Sequence, residues 1–119
     1  MGGGNIAPQS ESDSRFRVTS VRIPQGVAFS GECDLSSLRE VEDALSAALE
    51  SEQDVHVDLS GLLFIDAGGL RLLGTTADRL PRSRYLVLYY PPPQVHRMLS
   101  LARVDADPNV IVRGAALRG

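Results

Sequence analysis

The chain has 119 residues, of which 43% are hydrophobic and 23% are charged, a composition typical of one small globular domain. Its net charge of −3 argues against a nucleic-acid ligand, which would require a basic surface. The single cysteine, Cys33, cannot form an internal disulfide. The sequence has no signal peptide and no apolar run of the roughly 18 residues that a membrane span requires, so we expect a cytoplasmic protein.

The two ends of the sequence differ in composition from its middle. Residues 1–14 are rich in Gly and Ser, and Ile6 is their one branched aliphatic residue. A segment of this kind buries too little apolar surface to fold, so we predict a disordered tail over 1–14. The domain is predicted over 15–113, and residues 114–119 form a C-terminal tail too short for another full helix.

A β-hairpin is predicted at the start of the domain. Pro24-Gln25-Gly26 is a turn signal between two apolar segments, the second being Val27-Ala28-Phe29-Ser30. The first segment alternates with one irregularity, as a strand would. Its apolar residues are Phe16, Val18, Val21 and Ile23.

The next segment predicts a helix from Leu38 to Glu50. Ser37 precedes it, with Glu40 three residues later, which is the spacing of a capping box. Apolar residues recur at helical spacing and define the buried side of the helix. They are Leu38, Val41, Leu45, Ala48 and Leu49.

A strand over Val55–Leu59 and a second helix follow. The strand alternates apolar and polar residues, and the helix begins after a turn at Asp66 and ends near Pro81. The helix has an inward stripe of Leu70, Leu73, Ala77 and Leu80. Its outward positions are Gly68, Arg71, Leu72 and Thr75.

The last third of the chain predicts a strand, a short helix and a final strand. Tyr85–Tyr90 is almost continuously apolar, as in a strand that is covered on both faces. Pro93 can open a helix, and Val110–Val112 is a final strand. The inward residues of that helix are Val95, Met98, Leu99 and Ala102.

The predicted order of elements is ββαβαβαβ, which indicates an α/β fold. Strands that alternate with helices pair in parallel through right-handed crossovers. The sequence therefore predicts a mixed sheet in which an antiparallel hairpin precedes parallel strands joined by helices.

One segment carries a more specific signal than any other. Val57-Asp58-Leu59-Ser60-Gly61 leads to the turn Asp66-Ala67-Gly68-Gly69, at the start of the second helix. Taken alone, this is a strand-to-helix connection in which Asp66 caps the helix and the glycines allow unusual dihedral angles. Such a turn also exposes backbone N–H groups, which suits binding of a partner or an anion.

The segment resembles the signature of the STAS domain, in which a strand of the V-x-x-D-L-S-G type leads to a D-S-x-G-L turn. The order of elements over about 15–113 resembles that fold as well, except that its C-terminal helix is reduced or absent here. Without that helix, part of one sheet face would be exposed.

The resemblance implies a binding module of the anti-sigma factor antagonist type. Such a module sequesters an anti-sigma factor, commonly a serine kinase of the histidine-kinase-like ATPase type, and releases a sigma factor for transcription. In the family, the serine after the turn aspartate is the phosphorylation switch, and Ala67 stands at that place. Alanine has no hydroxyl and resembles unmodified serine in size and neutrality, so we expect a permanently binding-competent domain.

The resemblance also predicts the contact surface. Gly31-Glu32-Cys33-Asp34 resembles the family's G-E-L-D segment, whose aspartate lies beside the switch turn, and it places Cys33 as a small buried hydrophobe. Alternatively, Asp34 only supports the start of the first helix. Tyr89 to Pro93 would lie on the same rim and extend the surface or pack the crossover. The predicted partner-binding residues are Asp34, Ser36, Asp66, Ala67, Gly68, Gly69, Arg71, Leu72 and Thr75.

Other functions remain as alternatives. The chain would fit a STAS regulatory subunit of a transporter ATPase or of a stress-signalling scaffold, or a sensor of a small anion or nucleotide. Alternative phosphoacceptors are Ser60, Thr75, Thr76 and Ser83, which we interpret as ordinary surface hydroxyls. His56 and His96 lack metal-ligand spacing, and no nucleophile–base pair is evident, so we expect no metal, no cofactor and no enzyme activity.

Overall fold

The computed structural model describes residues 15–22 and 25–114. Within them the chain forms five strands and three helices in the predicted order. The strands are β1 (Arg17–Arg22), β2 (Gln25–Cys33), β3 (Val55–Ile65), β4 (Leu86–Tyr89) and β5 (Val110–Arg113). The helices are α1 (Leu38–Leu49), α2 (Ala67–Asp78) and α3 (Pro93–Leu101). None of the helices in this part of the chain is long and apolar enough to cross a membrane.

The strands form one sheet in chain order, β1-β2-β3-β4-β5. The β1–β2 pair is antiparallel and the other three pairs are parallel, which confirms the predicted mixed α/β sheet. Because every parallel crossover advances in the same direction with the same hand, the three helices lie on one face of the sheet. One core therefore joins the helices, with Leu45 of α1, Leu73 of α2 and Leu99 of α3 in a single buried cluster.

β3 is longer than the sequence predicted. It spans 11 residues and runs beside β2 to the pair Cys33–Ile65, through two register shifts. Beside the second shift Gly31 has φ +84°, and a Cβ there would collide with the carbonyl of Arg15, so the close approach of the segment before β1 requires glycine. β2 and β3 therefore extend well beyond β4.

This difference in length corrects the predicted position of the tyrosine pair. Tyr89 ends β4 opposite Asp58, and Asp66 follows the end of β3 eight residues later, roughly 20 Å away because two register shifts shorten the strand. The prediction that Tyr89 and Tyr90 share a rim with the Asp66 turn is therefore wrong. Beyond β4, the start of α3 reaches the outer half of β3, where Gln94 Nε2 donates to the Leu63 carbonyl at 2.6 Å.

The start of α1 also differs from the prediction. Asp34, and not Ser37, provides the cap: a 3₁₀ turn over Leu35–Ser37 precedes α1, and the Asp34 carboxylate accepts the Ser36 N–H at 3.0 Å. Ser37 is buried, makes no cap bond to α1, and donates its hydroxyl to the Glu32 carbonyl at 3.3 Å. The Ser37–Glu40 capping box is thus wrong, because the helical path begins three residues earlier.

The inward stripes of the helices follow the predicted phase with one exception. Leu70, Leu73, Ala77 and Leu80 are all buried, as are Val95 and Leu99 of α3. Ala102 was expected inward but is exposed, because α3 ends at Leu101 and Arg103 turns the chain with φ +62°. β4 is shorter than predicted, and its residues Leu86, Val87 and Leu88 are buried, although Val87 lies outside the core cluster that contains Leu86 and Leu88.

Some predictions concern residues that lie outside the described part of the chain. These are the N-terminal tail over 1–14, Ile23 of the first strand, and all of the C-terminal segment except Gly114. The last described strand ends at Arg113.

Candidate functional site

Two turns meet at the carboxyl ends of β2 and β3. The strands are parallel and paired at Cys33–Ile65, so the residues that follow them lie side by side. The Asp66 N–H donates to the Cys33 carbonyl at 3.0 Å and ties the turns together. The structure therefore brings Asp34 and Asp66 to the same end of the sheet.

Each aspartate caps the element that follows it. Asp66 has extended dihedral angles, and its Oδ1 accepts the Gly69 N–H of α2 at 3.0 Å. Asp34 Oδ1 accepts the Ser36 hydroxyl at 2.7 Å, and hydrogen bonding from Ser36 lowers the pKa of the Asp34 carboxyl. Asp34 thus combines both predicted roles, since it supports the start of the first helix and lies beside the Asp66 turn.

Cys33 lies directly beneath the two aspartates. Its side chain is 1% exposed, and its pKa is raised to about 11, first by burial and then by the charges of Asp66 and Asp34. The thiol therefore stays protonated at neutral pH and packs as a small hydrophobe, as the sequence predicted.

The two glycines of the turn allow close packing of α2. A Cβ on Gly69 would lie 2.8 Å from Ile65 Cγ1 and 2.9 Å from Cys33 Sγ, and a Cβ on Gly68 would lie 2.8 Å from Leu38 Cδ1. Gly69 is buried, so the prediction that it belongs to the contact surface is wrong. It lies in the helical phase that faces the sheet, and its role is to let α2 approach β2 and β3.

The remaining predicted positions on α2 lie on its outer side. Ala67, Arg71 and Thr75 are exposed and, at four-residue spacing, form one stripe. Gly68 and Leu72 are half-buried, and Leu72 packs partly against the core. The accessible part of the predicted surface is therefore this stripe and the two capping aspartates.

Exposed apolar side chains border the turns, and the sequence prediction missed them. Leu35, which follows Asp34, is 78% exposed, while Leu63 and Phe64 at the end of β3 are 48% and 44% exposed. The missed signal was the run Leu62–Ile65, since four consecutive apolar residues in a strand cannot all face one core. We call the turn surface the half-buried Asp66 together with the exposed residues Asp34, Leu35, Ser36, Phe64, Ala67, Arg71 and Thr75.

The other polar candidates have local partners. The hydroxyls of Thr75 and Thr76 donate to the Leu72 carbonyl at 3.2 and 2.7 Å, and Thr76 is buried, so both are ordinary helix hydroxyls. His56 Nδ1 lies 2.7 Å from the Tyr89 hydroxyl, far from the Asp66 turn. Over residues 15–22 and 25–114, no three His, Cys, Asp or Glu side chains come close enough to hold a metal ion.

Comparison with known proteins agrees with this geometry. No curated protein matches the chain significantly. Among solved structures, the chain is similar to the crystal structure of an anti-sigma factor antagonist from Mycobacterium paratuberculosis. The TM-score is 0.69 and the identity 24%, with 87% of this chain and 90% of that chain covered, a likeness of fold.

The family comparison covers almost the whole domain. A family model described as "Mlab, STAS domain" matches residues 16–113, which include both turns and all five strands. The chain therefore belongs to the STAS domain family.

Proposed function

We propose that the chain acts as an anti-sigma factor antagonist. It binds an anti-sigma factor, a serine kinase of the histidine-kinase-like ATPase type, through the turn surface and thereby releases a sigma factor. The observation that carries this proposal is the exposure of Ala67, together with exposed Leu35 and Phe64 in the segments next to the two turns. A protein–protein interface typically has apolar side chains at its centre and polar side chains around its rim.

The identity of residue 67 defines how the contact is regulated. A phosphoserine there would add about −1.5 to −2 charges next to Asp66 and would repel a partner that docks on this turn. Ala67 cannot be phosphorylated, and its methyl group leaves the surface neutral at this point. The chain is thus constitutively competent to bind.

The start of α2 is less suited to binding a small anion than to binding a protein partner. The Asp66 carboxylate already accepts the Gly69 N–H, and Asp34 places a second negative charge nearby. An anion would have to approach two carboxylates to reach the remaining amides. The geometry therefore favours a protein partner over a phosphate or nucleotide.

A second candidate is a STAS regulatory subunit of a transporter ATPase or a stress-signalling scaffold. The observation that favours it is again Ala67, because a subunit that is not controlled by phosphorylation needs no hydroxyl there. The same turn surface would then contact an ATPase subunit.

The test is affinity capture from the native cell extract, followed by calorimetry with the purified partner. Capture of a histidine-kinase-like anti-sigma factor, with binding lost in the Leu35→Asp/Phe64→Asp variant, is expected. Capture of a transporter ATPase subunit would establish the second candidate. Incubation with the kinase and labelled ATP is expected to leave the chain unlabelled, and stoichiometric label would contradict the constitutive state.

A further inference from the structure

A groove of about 440 Å³ runs along α2 and shares Ala67, Arg71 and Thr75 with the turn surface. One wall is the outer side of α2, and the other is the loop that follows α3, with Arg103, Val104 and Asp107. The groove begins at Ala67 and ends at Asp78, a distance of roughly 16 Å along the helix. It is therefore continuous with the turn surface at one end.

The floor of the groove is apolar and open in the middle. Leu70 and Val104 are 6% and 5% exposed and form its base. Halfway along, a Cβ added to Gly74 would meet nothing within 4 Å. An incoming apolar side chain can therefore enter above Gly74 without displacing any atom of the domain.

The ends of the groove carry opposite charges. Arg71 lies towards the turn surface, and Asp78 lies two helical turns further on, roughly 10 Å away. Asp78 is also the last residue of α2, where the helix dipole disfavours a negative charge. The α2 wall thus presents a cation and an anion at a fixed separation, and the opposite wall adds Arg103 and Asp107.

The acidic end is unfavourable in the free domain. Asp78 and Asp107 both line the groove, and hydrogen bonding with Asp107 is the main cause that raises the pKa of the Asp78 carboxyl. The backbone holds this arrangement, since Asp107 Oδ1 accepts the Asn109 N–H at 2.8 Å. Two carboxyl groups that are held together at a helix C-terminus favour an external cation, and a guanidinium can bond to both.

We infer that this groove binds a helix of the partner protein that carries an arginine at the Asp78–Asp107 end and a carboxylate at the Arg71 end. The groove follows α2 for about three turns, which suits an amphipathic helix with apolar residues above Gly74. This inference rests on the proposed function only in taking the partner to be a protein. It adds the chemistry that selects that partner.

The test uses the full chain and three stapled helical peptides, each about four turns long. All carry the same leucine stripe and, seven residues apart, either Glu and Arg, two Glu or two Arg residues. By fluorescence anisotropy, the Glu/Arg peptide is expected to bind about ten-fold more tightly than either like-charged peptide. Equal binding of the three peptides, or no binding of any, would overturn the inference.

Variants of the acidic end provide the matched comparison. Asp78→Asn is expected to weaken binding of the Glu/Arg peptide while raising the melting temperature of the free domain, because it removes the repulsion from Asp107. Asp43→Asn, on the exposed side of α1, is the control and should change neither value. If Asp78 had only a structural role, Asp78→Asn would lower the melting temperature of the free domain. If Asp78→Asn left peptide binding unchanged, the acidic end would be excluded from the contact.

The peptides contain no anti-sigma factor, so this result is independent of the proposed function. If the groove selects the Glu/Arg peptide but no anti-sigma factor is captured, the partner belongs to another class. If an anti-sigma factor binds and Asp78→Asn has no effect on it or on the peptide, the turn surface acts without the groove.

Discussion

Replacing Ala67 with aspartate tests the proposed turn surface most directly. Ala67 is exposed and is the first residue of α2, so the new carboxylate needs no space in the core. A negative charge in a first helical turn contributes about 0.3–1 kcal/mol, and repulsion from Asp66 opposes it. The free energy of unfolding should therefore change by no more than about 0.5 kcal/mol.

Binding should respond much more strongly than stability. If the partner docks on Ala67, the variant places a second carboxylate beside Asp66 within the contact. Taking about 2 kcal/mol for like charges brought together at an interface, we expect roughly 30-fold weaker binding. Calorimetry with the purified anti-sigma factor measures the affinity, and urea denaturation measures the stability.

Two further variants separate charge from size at the same position. Ala67→Asn has the shape of aspartate without its charge and should lose much less affinity. Ala67→Ser should bind as the parent does and should become a substrate for the kinase. Equal affinities of the Asp and Asn variants would refute the argument that charge at residue 67 controls the contact.

Three other predictions follow from the packing of the turn and of α2. Leu73→Ala should lower the free energy of unfolding by about 2–5 kcal/mol because Leu73 is fully buried, whereas Arg71→Ala should weaken binding and leave urea denaturation almost unchanged. Gly69→Ala should lower the melting temperature because its Cβ would lie 2.8 Å from Ile65 Cγ1. Gly74→Ala, whose Cβ meets no neighbour, should raise the melting temperature, because Ala is favoured over Gly in a helix by about 1 kcal/mol. The Cys33 thiol should react slowly with a disulfide reagent at neutral pH until urea unfolds the domain. The pKa of the Cys33 thiol is about 11 in the folded domain, above its ordinary value of 9.0, so the protonated thiol stabilises the fold below pH 9. This stabilisation is lost as the pH rises towards 11. Thermal melts at alkaline pH should show a loss of stability in the parent that is absent from Cys33→Ala.

Periodicity was sufficient to predict the order of elements and the phase of the helices. Leu70, Leu73 and Ala77 face the core because a single stripe of apolar residues must be buried wherever the helix lies. The lengths of β3 and β4 depend instead on which backbone groups find partners in a neighbouring strand. That information is not local, so the extension of β3 to Ile65 was missed.

The site was predicted less completely than the fold, for a related reason. Asp66 was correctly placed as a helix cap because capping is a local interaction. The burial of Gly69 depends on contacts with Ile65 and Cys33, which lie in two different strands. The exposure of Phe64 likewise depends on the position of β3 within the sheet, and only its apolar neighbours in sequence could have indicated it.

The turn surface and the groove meet at residues 67 and 71, which are one helical turn apart on the same stripe of α2. A carboxylate at position 67 would therefore pair with Arg71 as well as repel the partner, and this pairing would remove the cation from the acidic residue of the bound helix. The two effects separate in a double-mutant cycle of Ala67→Asp and Arg71→Ala. If the pairing dominates, Ala67→Asp should cost much less affinity in the Arg71→Ala background; if direct repulsion dominates, the two losses should add, and the turn surface would then act independently of the groove.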